Sequence, residues 1–221
     1  MFKYKNEHCS KEVERHVMAD KKTQKRQELR NRLIDAAQEV IAEKGLRGLK
    51  ARDVTAKAGC ALGALYTAVD DLDQLIILVN SRTLSALGDA LKKSVPTEAS
   101  PVETMQALAR AYCEFALQHT ALWSAIFSHR LPDEVTIPDW HKAEYPVLIS
   151  EIIAPLAKLR PDLSPEALGL RAQTLFASVH GVVQLAIHGQ YVGVPHDLLP
   201  SEVAALVEAM TRGLDVVKNQ S

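Results

Sequence analysis

The chain has 221 residues and a net charge of −1, with 47% apolar residues but only four Phe and two Trp. A core of Leu, Ala, Val and Ile suits helices packed on helices, and the fold class expected is all-α with about nine helices. No apolar run approaches the roughly 20 residues of a bilayer span, and the N-terminus MFKYKNEHCSKEVERH lacks a secretory h-region, so a cytoplasmic protein is expected.

Residues 1–20 are mixed in charge and poorly periodic, and a mobile tail with a basic arm is expected over 1–24. Lys21, Lys22, Lys25, Arg26, Arg30 and Arg32 then make a dense basic run opposed only by Glu28. A first helix is predicted from Lys25 to Lys44, with Leu33, Ile34, Ala37, Val40 and Ile41 as its apolar stripe and Gly45 ending it. Arg52 to Ala58 and Leu62 to Val69 read as two short helices around a turn at Gly59. That geometry places a second helix in a DNA major groove, although the spacing alone also fits an αα-hairpin inside a bundle. A fourth helix should start near Asp70 or Asp71 and run to about Lys93, the acids favouring its N-terminus. Ser100-Pro101-x-Glu103 is a capping-box start for a helix to His119. Ala121 to Phe127 is a short helix, a loop follows through Pro132 and Pro138, and Pro146 and Pro155 should kink or divide 140–158. Ser164-Pro165-Glu166 opens a long helix to Gly189, and 201–218 forms the last.

The charge is unevenly distributed. Residues 21–75 hold 11 basic and 8 acidic side chains, residues 76–221 hold 11 and 15. A basic end on an acidic body fits contact with phosphates through one end. The last two helices are apolar on several faces, which calls for burial on a second side, most simply by another subunit. Val179, Val182, Val183, Ala186, Val203, Leu206 and Met210 are the candidate interface residues.

Cys9, Cys60 and Cys113 show neither disulfide nor metal spacing, and Cys60 reads as a small apolar residue, with a redox thiol as the alternative. The eight His are scattered; His180 and His188 lie about 12 Å apart along one helix and cannot chelate one ion alone. No catalytic constellation, metal site or cofactor motif is present, so an enzyme is not expected. Tyr112, Trp123, Phe127, Trp140, Tyr145, His180 and Gln184 can line an apolar ligand pocket, or can simply fill a helical core.

Arg52-Asp53-Val54, Ala58-Gly59-Cys60, Gly63-Ala64-Leu65-Tyr66 and Asp73-x-Leu75, with the amphipathic helix before them, resemble the DNA-binding domain of the TetR family of transcriptional regulators. The specific motifs cover Arg26 to about Val79. Thr55, Cys60, Ala61 and Ala68-Val69 depart from the family pattern, and Leu72 stands where the family usually has Lys. Ser178-Val179-His180-Gly181 also resembles a Trp-His-Gly signature of one subgroup, with Val179 in place of Trp. The resemblance implies a helix-turn-helix domain at 25–71 and a ligand-binding and dimerisation domain at 72–221. The basic run makes Lys22 and Arg26 candidates for DNA contact, and the helix-turn-helix reading adds Lys50, Arg52, Ala61, Leu62, Gly63, Ala64, Tyr66 and Thr67, of which Tyr66 is the one carried over by motif. The function expected is a homodimeric regulator, by default a repressor, binding a palindromic operator in double-stranded DNA and released by a small apolar or amphipathic effector. The alternative is an all-α enzyme or adaptor that uses its N-terminal helices only for packing.

Overall fold

The computed structural model describes residues 3–131, 137–189 and 192–216, with side chains between 20 and 211. Among them there is no strand. Two compact units divide at Val79/Asn80.

The first unit holds α1 (Lys3–Lys44), a 3-10 turn (Leu46–Gly48), α2 (Ala51–Lys57), α3 (Leu62–Ala68) and the first turns of α4 (Leu72–Ser94). The stripe read from the sequence is the buried face of α1: Leu33, Ile34, Ala37, Val40 and Ile41 are all at most 6% exposed. They share the unit's interior with Val54 of α2, Leu65 of α3 and Leu75 of α4, each fully buried. Gly45 ends α1 at φ 69° and ψ 170°, a region that essentially only glycine adopts.

The turn between α2 and α3 has a specific hydrogen-bond pattern. Cys60 N–H donates to the Thr55 carbonyl at 3.0 Å and Gly59 N–H to the Ala56 carbonyl at 3.3 Å, the paired bonds of a Schellman motif, with Gly59 at φ 65°. Thr55, an unexpected hydroxyl in a helical interior, is buried but satisfied, donating to the Ala51 carbonyl at 2.9 Å. Asp71 caps α4 by accepting from Gln74 N–H at 2.6 Å, and the Gln74 amide oxygen accepts from Asp70 N–H at 2.9 Å.

The rest of α4, α5 (Pro101–Gln118), α6 (Thr120–Ser128), α7 (Asp139–Lys142), α8 (Val147–Leu159), α9 (Pro165–His188) and α10 (Leu199–Val216) make the second unit. The capping box at Ser100 forms in both directions, at 2.8 and 3.3 Å, and the bond to Ser100 holds the Glu103 carboxyl below its ordinary pKa. Pro146 divides the 140–158 segment into the single turn α7 and the longer α8, while Pro155 sits buried inside α8. The central helix is α5, in contact with α6, α8, α9 and α10.

Three sequence expectations shift. Helix α1 starts at Lys3 rather than Lys25: the segment 3–24 has no Pro or Gly and carries five Lys and three Glu, so helical propensity carries the backbone where no apolar stripe announces it. The boundary expected at 71/72 lies at 79/80, because Leu75, Ile76 and Val79 are buried in the first unit. The third is a correction to the candidate dimer face. Val179, Val183 and Val203 are at most 5% exposed within one chain, where they join the core around α5. Val182, Ala186 and Met210 also pack partly against that core, and Leu206 is half-buried. The outward stripe of α9 is instead Leu170, Thr174, Ala177, Gly181 and Leu185, with Leu170 67% and Leu185 49% exposed. Residues 132–136, 190–191 and 217–221, which include expected loop and terminal segments, and the side chains of Cys9 and Met18 lie outside the described residues.

Candidate functional site

Helix α3 is only seven residues long, and its two sides differ sharply. Leu65 and Ala68 face inward, fully or almost fully buried. Four residues apart on the other side, Leu62 and Tyr66 form one exposed row and Gly63 and Thr67 a second, with Tyr66 54% exposed. Ala61 is the exposed N-cap residue and Ala64 lies half-buried at the flank. Gly63 has open space where a Cβ would stand. The face is therefore small-sided except for Leu62 and Tyr66, a shape that lets a backbone approach another surface closely. Thr67 Oγ1 donates to the Gly63 carbonyl at 3.2 Å, leaving its lone pairs outward.

Charges around this face are sorted by ion pairing. Lys44 Nζ lies 2.7 Å from Asp53, and Lys57 Nζ lies 2.6 Å from Glu43 and 2.9 Å from Glu39, tying α1 to α2. The bonds to lysine hold Asp53 and Glu43 below the ordinary carboxylate range and raise Lys57. These pairs are exposed, so they orient α2 more than they stabilise it. Lys50 and Arg52, exposed beside them, have no ion-pair partner among the described residues. Lys22 and Arg26 are also exposed on α1. All ten residues singled out for DNA contact thus lie at least partly on the surface. The interhelical ion pairs are not legible in the sequence, because lysines and carboxylates 9 to 18 positions apart carry no local signature.

In the second unit, four of the seven candidate pocket residues come together. Tyr112 of α5, Trp123 and Phe127 of α6 and His180 of α9 form an aromatic cluster, joined by Phe176. The Tyr112 hydroxyl and His180 Nδ1 are 2.8 Å apart, and Phe127 and Trp123 lie against the imidazole with centroids at 4.3 and 5.2 Å. Beside this cluster is an apolar cavity of about 40 Å³, lined by Tyr112, Phe176, Leu108, Leu148 and Val207 among others. Trp140, 45% exposed, and Tyr145 flank the buried His141 instead, which bonds Glu144 at 2.8 Å. Gln184 lies half-buried on α9. Phe176 and the α8 side chains Leu148 and Ile152 were not singled out in the sequence, where they read as ordinary core residues.

Burial lowers the pKa of His180, since a charged imidazole would lose hydration inside the cluster, and raises that of Tyr112. The same cause pushes the Cys113 thiol up to about 12, which leaves it protonated and unreactive. For His180 the unfolded chain binds a proton near the ordinary value of 6.5 while the folded chain resists it until lower pH. Stability is therefore full above that value and declines as the pH falls through it towards the lowered folded pKa. Denaturation midpoints should fall from about pH 7.5 to about pH 5.5, and His180→Gln should flatten this dependence. An equal slope in both proteins would contradict the assignment.

Residues 105–214 match the tetracyclin repressor-like C-terminal domain. Among solved structures, a protein of unknown function from Rhodococcus sp. RHA1 is 25% identical, with a TM-score of 0.66, covering 84% of this chain and 94% of that one. RolR, solved in complex with resorcinol, is 21% identical, with a TM-score of 0.60 over 86% of this chain and 95% of its own. FadR from Bacillus subtilis, solved in complex with stearoyl-CoA, is 15% identical, with a TM-score of 0.64 over 82% and 97%. No curated protein matches the sequence significantly. Fold and site define the class: an all-α transcriptional regulator with an N-terminal helix-turn-helix. The chain belongs to the tetracyclin repressor-like (TetR) family.

Proposed function

We propose that this regulator binds double-stranded DNA as a homodimer, with the exposed face of α3 in the major groove, and that a small molecule bound in the second unit releases it. It acts in the cytoplasm, by default as a repressor on a palindromic operator, because a dimer seated there occludes the promoter. The observation that carries the reading is α3 itself: one side closes the helix-turn-helix core, and the other presents Leu62, Gly63, Tyr66 and Thr67 to solvent. Small and apolar groups there favour close approach and thymine-methyl contact over bidentate hydrogen bonds. The exposed Lys50, Arg52 and Tyr66 hydroxyl are the candidates for phosphate contact, and the exposed Lys22 and Arg26 add basic surface on α1. Tyr66→Phe removes only the hydroxyl, so it should weaken specific and non-specific binding alike in an anisotropy titration. Unchanged affinity would remove Tyr66 from the contact set.

The dimer reading moves to the outward stripe of α9, where small side chains lie between Leu170 and Leu185, and to the exposed Ala205 and Ala209 of α10. The double variant Leu170→Glu with Leu185→Glu should sediment as a folded monomer and lose DNA affinity, since like charges would meet across the two-fold axis. A dimer in that variant would place the interface elsewhere. Release follows from geometry: half-sites one turn apart need reading helices about 34–36 Å apart. Helix α4 contributes residues to both units and is the continuous element through which ligand binding can alter that spacing. The coupling is reciprocal, so operator DNA must lower effector affinity by the same factor.

A further inference from the structure

The apolar cavity beside Tyr112 shares two of its walls, Leu108 and Glu151, with a larger space of about 280 Å³ between α5, α8 and the end of α4. Leu108 and Glu151 therefore stand at the neck between the small inner space and the larger outer one, both of them partly open. The inner space is apolar apart from Glu151 and the Tyr112 hydroxyl, and that hydroxyl is already paired with His180. Glu151 is half-buried and has no hydrogen-bond or ion-pair partner among the described residues. Lys92 and Lys158 also line the outer space, but both are exposed, so their alkyl stems can form wall while the ammonium groups stay in water. The charge that a ligand meets at the neck is thus the carboxylate, and the aromatic faces of Tyr112 and Phe176 lie behind it.

We infer that the effector is an organic cation, a protonated amine on an apolar body, with its nitrogen at Glu151. This rests on the proposal that the second unit binds a regulatory small molecule. A half-buried carboxylate without a partner beside an apolar space offers a cationic nitrogen a charge-assisted hydrogen bond. Aromatic faces add attraction for the same charge. An apolar group enters the inner space, and the rest of the molecule occupies the outer space against Val95, Pro101 and Ala154.

Three probes of one shape and different charge decide it: 4-phenylbutylamine, 4-phenylbutanol and 4-phenylbutanoate, titrated calorimetrically into the full-length protein. The amine should bind at least about tenfold more tightly than the alcohol, and the carboxylate most weakly. Glu151→Gln should erase the advantage of the amine while changing the alcohol's affinity by less than about twofold. Ala154→Phe, which fills the outer space from an exposed position, should weaken all three. Equal binding of the three probes, preference for the carboxylate, or an amine affinity untouched by Glu151→Gln would overturn the charge assignment and leave the pocket standing. Failure of all three to bind would overturn both the cation and the pocket.

Discussion

Replacing Trp123 with alanine should destabilise the second unit by about 3–5 kcal/mol, the range for deleting a large aromatic from a packed core. Trp123 has no exposed surface and meets Tyr112, Phe127 and His180 at centroid distances of 6.1, 5.4 and 5.2 Å. It holds α6 against α5 and α9, and its loss leaves a cavity that these helices cannot close without moving the Tyr112–His180 pair. The expected result is a lower denaturation midpoint and looser packing around the apolar cavity. Since Val54, Leu65 and the rest of the first unit's interior are untouched, α2 and α3 should remain folded. A cost below about 1 kcal/mol would mean that the cluster is surface decoration rather than core.

The largest functional effect should come from reversing the two unpaired cations next to α3. Lys50→Glu with Arg52→Glu removes the two proposed phosphate contacts and introduces two repulsions. Each contact contributes roughly 0.9 to the slope of log affinity against log salt on duplex DNA, so the slope should fall by about two and affinity at moderate salt by at least about a hundredfold. Both residues are exposed and outside the Lys44–Asp53 and Lys57–Glu39–Glu43 pairs, so the fold should survive. The informative control is Lys44→Ala, which breaks an interhelical pair and should change the slope little. Equal effects from the two substitutions would mean that charge in general, and not contact, governs binding.

What could be read before the structure follows from how local each signal is. The stripe of α1 depends on a 3.6-residue period, the turn on a glycine at positive φ, and the start of α5 on Ser100 and Glu103 three positions apart; each is written within a few residues. Residue order around Tyr66 then located the exposed face of α3. The long start of α1 was not legible, because it has helical composition without an apolar face to mark it. The direction of the apolar side chains on α9 and α10 was not legible either. Helices apolar on several sides gave no basis for choosing which side α5 would take, and α5 takes Val179, Val183 and Val203. The neck at Leu108 and Glu151 depends on α5 meeting α8 more than 40 positions later, and no spacing in the sequence reports it.

The proposed function requires the exposed face of α3 to read a specific DNA sequence in a two-fold symmetric complex. Selection of genomic fragments by the purified protein, followed by footprinting on the enriched sequence, tests it most directly. The expected result is a footprint of two related half-sites about one helical turn apart, bound at least about a thousandfold more tightly than random duplex at the same salt. Enrichment of no sequence, or a protected site unchanged when Leu62 and Tyr66 are replaced by alanine, would contradict it.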